Sequence, residues 1–182
     1  MEIRIRSGFW FLLALMVRTL PLPWLSAGLL AAALHEFSHL LALYLFGGRC
    51  RRLYLSPGGA VLEASALAPG AVFCCALAGP AGSLMLGLVR PILPVLSLCG
   101  ILQGLWNLLP LPCSDGGLML SLLLERCLPP RYCVFVLRFA AVLSLAALPF
   151  LPEIRRFFPS AIIPIVLIFT LRAGKKPCKY PL

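Results

Sequence analysis

Leu25-Ser-Ala-Gly-Leu-Leu-Ala-Ala-Ala-Leu-His35-Glu36-Phe-Ser-His39-Leu-Leu-Ala-Leu-Tyr-Leu-Phe46 is an apolar run broken at its centre by three ionisable side chains. About 20 largely apolar residues are needed to cross a bilayer as a helix, so this run is long enough. On a helix, residues four apart share a face, so both imidazoles of His35-Glu36-Phe37-Ser38-His39 can reach one ion. The chain contains 2 histidines in all. Two placed at random would fall four apart roughly once in a hundred tries, before a glutamate between them is required. Three ionisable groups on one turn of a spanning helix are costly, which marks the turn as functional.

The rest of the composition agrees with a membrane setting. Of 182 residues, 61% are hydrophobic and 12% charged, and mean hydropathy is +0.99. That excludes a water-soluble globule, which could not cover its surface, and a disordered chain, which could not leave so much apolar surface solvated. The 16 Lys and Arg against 6 Asp and Glu sit at the ends of apolar runs, which points to membrane orientation and away from nucleic acid. The 8 cysteines form no C-x-x-C pair, and Cys74, Cys75 and Cys99 lie inside apolar runs, where a thiol acts as a small hydrophobe.

The expected architecture is an all-α polytopic membrane protein, one integral-membrane domain over residues 1–182. Six spans are expected near Phe9–Leu22, Leu25–Phe46, Ala71–Val89, Ile92–Leu111, Cys133–Leu151 and Arg156–Leu171. The first is read as a span and not a cleaved leader, because Arg18 interrupts its apolar stretch. With the N-terminus inside, eleven basic residues (Arg4, Arg6, Arg49 and Arg51 among them) face the cytoplasm and four face outward, so both termini are expected to be cytoplasmic. Arg51–Ala64 reads as a membrane-associated hairpin around Ser56-Pro57-Gly58-Gly59, a tight-turn signal. Its edge is expected to hold an unwound substrate by strand addition. Gly116–Leu128 reads as a short helix at the inner interface. No PDZ insert or C-terminal regulatory domain is expected.

Two imidazoles and one carboxylate suit Zn²⁺, with a fourth position open to water. Such an ion acidifies its water and polarises a carbonyl, and Glu36, beside the ligands, is placed to take the proton. The third ligand is sought among Glu2, Glu63, Asp115, Glu125 and Glu153, with Cys113 as a competing thiolate. Asp115 is favoured: it follows the fourth span, which descends in the same sense as the second, so it reaches a similar depth to His39.

HEFSH in a span, Ala76-Leu-Ala-Gly79-Pro80-Ala-Gly-Ser83 and Asn107-x-x-Pro110-x-x-x-x-Asp115-Gly116, in this order, resemble the site-2 protease family of intramembrane zinc metalloproteases. The short layout is most similar to the stage IV sporulation protein FB branch. The likeness covers about residues 25–128, the expected catalytic core; the flanking helices match only in number. It implies one zinc ion on His35, His39 and Asp115, Glu36 as general base, and Asn107 as a polar support near the substrate or transition state. It implies a membrane-associated regulatory protein as substrate, with a pro-sigma factor as the sporulation case, in the bacterial cytoplasmic membrane. A membrane inhibitor or regulator and a second copy of the chain are compatible partners. Ser83 stands where the family often has Asn, and Ser114 replaces an apolar residue before Asp-Gly; both departures bear on peripheral substrate contacts and not on the metal. A catalytically idle zinc scaffold and a small transporter are the competing functions. Retention of Glu36 speaks against the first, and convergence of the acids on one depth against the second.

Overall fold

The computed structural model describes residues 2–56, 59–111 and 114–147. The chain divides into two compact units that part between Trp106 and Asn107.

The first unit begins with strand β1, Glu2–Ile5, followed by helix α1, Ser7–Thr19, and helix α2, Leu22–Leu45. Pro21 precedes α2 and Pro23 sits in its first turn, where a missing N–H breaks no helical bond. Helix α2 ends on Gly47, whose φ of 72° lets the Gly48 N–H close back on the Leu43 carbonyl at 2.8 Å. Strands β2, Cys50–Ser56, and β3, Gly59–Ala64, then form the expected antiparallel hairpin.

The hairpin is not alone. Strand β1 pairs in parallel with β2, giving a three-stranded sheet ordered β1-β2-β3. The register places Ile3, Leu53 and Leu62 on one face with Ile5 and Leu55, and Glu2, Arg52 and Glu63 on the other. Arg52 reaches Glu2 at 3.2 Å and Glu63 at 3.5 Å, and Arg4 reaches Glu2 at 2.7 Å. These half-exposed pairs tie the three strands across the charged face, each contributing little by itself. Alternation in Glu2-Ile3-Arg4-Ile5-Arg6 is the sequence cause of β1. Because β2 is paired on both sides, the hairpin edge that remains for strand addition among the described residues is that of β3.

Helix α3, Pro69–Met85, continues as the short 3-10 helix η1, Leu86–Val89, and is followed by helix α4, Pro94–Leu108. Along α2, Ala27, Ala31, His35, His39 and Leu43 recur every fourth residue and are buried, while Leu29, Leu30, Phe37, Leu41 and Leu45 are exposed. Polar groups inside and large apolar groups outside is the arrangement that lipid selects. Ala27 and Ala31 pack with Leu96 of α4, flanked by Leu86, Val95 and Cys99.

The second unit contains helix α5, Asp115–Leu124, and helix α6, Pro130–Ala147. Cys133 and Ala141 are buried on α6.

Among the described residues, two helices are long and apolar enough to cross a membrane, Leu22–Leu45 and Pro69–Val89 with η1 included. Helix α1 has 13 residues and α4 has 15. At 1.5 Å per residue they reach about 20 and 22 Å, short of a ~30 Å hydrocarbon core. Helix α1 stops at Thr19, where Pro21 opens α2, and α4 covers Pro94–Leu108 of a fourth span expected to run to Leu111. The span expected at residues 156–171 lies outside the described residues, as does the end of the fifth.

Candidate metal centre

Helix α2 carries His35 and His39 on its buried face, 3% and 9% exposed. Their Nε2 atoms face each other at 3.2 Å, with the rings nearly perpendicular at 87°. Two imidazoles held 2.0–2.1 Å from a tetrahedral zinc have nitrogens about 3.3 Å apart, so this separation fits a shared ion.

Helix α3 holds the other side of each ring. His39 Nδ1 lies 2.7 Å from the carbonyl of Cys75, which can only accept, so Nδ1 carries the proton and Nε2 keeps its lone pair. His35 Nδ1 lies 2.8 Å from Ser83 Oγ, whose residue is fully buried. Cys75, Gly79 and Ser83 are spaced four apart, so α3 presents a ledge matching the histidine ledge of α2. Gly79 makes the approach possible: a Cβ there would overlap the His39 imidazole. Pro80 lies on the same turn of α3 and removes the N–H that would bond the Ala76 carbonyl, loosening the ladder beside the Cys75 carbonyl.

Ser83, a departure from the family pattern, contacts His35, because the fourfold spacing from Cys75 turns it onto the histidine helix. Glu36, next along α2 from His35, is half-buried. Ser38 turns its hydroxyl back to the Leu34 carbonyl at 2.8 Å.

In the second unit, Asp115 occupies the first turn of α5. Ser114 caps this helix: its Oγ accepts from the Gly117 N–H at 3.1 Å and reaches the Leu111 carbonyl at 3.0 Å. Ser114 thus fixes the turn that presents Asp115. Gly116 and Gly117 are required by close packing, since a Cβ on either would strike the carbonyls of Leu108 and Leu111 respectively. A carboxylate in a first helical turn is favoured by the exposed N–H groups there. Asn107 is half-buried at the end of α4. Cys113, the competing ligand, lies outside the described residues.

No protein-family model and no curated protein matches the sequence. Among solved structures the chain is similar to a site-2 protease from Methanocaldococcus jannaschii, at 19% identity and a TM-score of 0.69, over 97% of this chain and 90% of that one. At that identity the likeness speaks for architecture, and on it this chain has the fold of a site-2 protease.

Proposed function

We propose that this chain is an intramembrane zinc endopeptidase that clips a membrane-associated regulatory protein. The observation that carries the reading is the facing pair of Nε2 atoms, 3.2 Å apart on the buried turn of a 24-residue apolar helix. Similarity to the fold of a known site-2 protease supports it. With Asp115 as the third ligand, as the motif resemblance implies, two imidazoles and one carboxylate suit zinc and leave a position open.

Zinc held by these residues supplies a Lewis acid for the scissile carbonyl and for water. The chain's own residues do the rest. Cys75 and Ser83 fix the ring orientations, so the ligands do not have to be ordered when the ion arrives. Glu36, one residue from His35 and outside the ligand set, takes the proton from the attacking water and returns it to the leaving amine. Asn107 supports the substrate or the developing oxyanion as a hydrogen-bond donor.

Both termini face the cytoplasm of a bacterium in this reading. The pairing of β1 with β2 keeps residues 2–5 beside the end of α2 that leads into the hairpin, the end this reading assigns to the cytoplasm. The sporulation-like layout makes a membrane-tethered pro-sigma factor the first substrate to try. Co-expression with such regulators, wild type against Glu36→Gln, tests the activity; equal cleavage by both proteins ends the assignment.

A further inference from the structure

We infer that Arg6 is a specificity-determining residue that receives an acidic side chain of the substrate at the membrane depth of the histidine pair. The inference rests on the protease reading above and deepens it by naming the substrate class: a membrane segment that carries Asp or Glu close to its scissile bond.

The depth of Arg6 follows from the path of the chain. Helices α1 and α2 meet at Pro21, and Ser7 and His35 lie 14 residues to either side of it. At 1.5 Å per residue, each stands about 20 Å from that turn. The sheet closes the same path. With 24 residues against 13, α2 outruns α1 by about 16 Å. Strand β2 makes up the difference: from Cys50, just past α2, to Leu55, beside Ile5, it advances about 17 Å. The strands therefore run back along α2 from its inner end. Arg6 is the N-cap of α1 and donates its N–H to the Leu55 carbonyl at 3.0 Å, at the far end of the sheet and level with the histidines.

Charge decides what Arg6 can hold there. It keeps the extended backbone of β1, with φ −79° and ψ 146°, so its side chain shares a face with Glu2 and Arg4. On that face Glu2 holds Arg4 and Arg52, and Glu63 holds Arg52. Both acids of the sheet are thus engaged nearer the cytoplasm. Arg6 is exposed and has no carboxylate among the described residues. An arginine at this depth is too costly to leave in hydrocarbon; it belongs in a polar cavity with an anionic partner. The partner that fits is a carboxylate, which the guanidinium fork holds with two parallel hydrogen bonds. A membrane segment entering the site brings that group with it. Lys and Arg, the usual flanks of a cytoplasmic helix end, are repelled by the same charge, so Arg6 selects as well as binds.

The test uses Glu36→Gln protein in phosphatidylcholine vesicles and a series of fluorescent, membrane-tethered peptides. Each peptide carries Glu, Gln or Lys at one position, and the position is stepped along the cytoplasmic half of the segment. At one position the Glu peptide should bind about 10–100-fold more tightly than the Gln peptide, the range for a hydrogen bond to a charged group, with Lys weakest. Adding Arg6→Glu should invert the order without changing zinc content, and Arg6→Lys should keep the order at lower contrast. With wild-type protein the same preference should appear in KM and leave kcat unchanged. A series with no position that prefers Glu over Gln overturns the inference, as does an Arg6→Glu protein with the parental order. If Arg6→Glu does not fold, Arg6→Gln takes its place: it should level the series, and an unlevelled series overturns the inference. Peptides that bind in the expected order yet stay intact with the wild type count against the protease reading alone.

Discussion

His35 Nε2 and His39 Nε2 lie 3.2 Å apart, each ring held from behind by helix α3 through Ser83 and the Cys75 carbonyl. Two imidazoles so constrained form half of a metal site before any ion arrives. Replacing either histidine with alanine should lower zinc affinity by at least about a hundredfold, one ligand's share of the ~10–16 kcal/mol seen in structural zinc sites. Metal analysis of the purified variants after dialysis against a weak chelator measures this. Stoichiometric zinc in both variants would place the ion elsewhere.

Glu36 follows His35 on α2 and is the general base of the proposed mechanism. Glu36→Gln should keep wild-type zinc content and lose about 10²–10⁴-fold in cleavage rate, the range for a general base. Zinc content and single-turnover cleavage of one substrate, measured on one preparation, separate the two effects. A variant that loses its metal would make Glu36 a ligand or a structural residue.

Gly79→Ala puts a methyl into the space of the His39 imidazole. Overpacking of this kind costs about 1–3 kcal/mol, and the ring is displaced from its Cys75 contact. Lower thermal stability together with weaker zinc binding is expected. Unchanged affinity would show that α2 and α3 do not approach as closely as Gly79 allows.

The sheet supplies two tests. Leu53 lies on the central strand, paired with Ile3 on one side and Leu62 on the other, so Leu53→Pro should open the whole three-stranded unit. Rapid proteolysis within residues 50–64 is the readout, and resistance equal to wild type would contradict the β1-β2-β3 order.

Glu2 gives the sheet a pH dependence. The hydrogen bond from Arg4, with Arg52 adding to it, holds the Glu2 carboxyl below its ordinary value of 4.5. A carboxylate with a lowered folded-state pKa contributes stability above its unfolded value and loses it as pH falls through the folded one. Hydrogen exchange of the β1 amides should therefore be flat above about pH 5 and accelerate, relative to intrinsic rates, as pH drops below 4.5. Glu2→Gln should remove the transition.

Much of the centre was legible because its signal is local. His35 and His39 announce themselves by fourfold spacing in an apolar run, and Ser56-Pro57-Gly58-Gly59 announces the hairpin. What was hidden depended on partners distant in sequence. Glu2 to Arg6 alternates as a strand does, yet four residues cannot be told from a basic flank until β2 appears 50 residues later. Ser83 looked like a substituted position in a motif, because its value lies in a histidine 48 residues away. The helix starting at Asp115 was visible from the Gly pair, but the need for glycine there comes from carbonyls at Leu108 and Leu111.

The contact that orients His39 is made by a main-chain oxygen, and so it survives every replacement of the residue that bears it. An alanine scan would score position 75 as silent, and drift at that cysteine would leave the geometry intact. Evolution can relabel the anchor freely, whereas the experimenter who reads importance from side-chain sensitivity will pass over it.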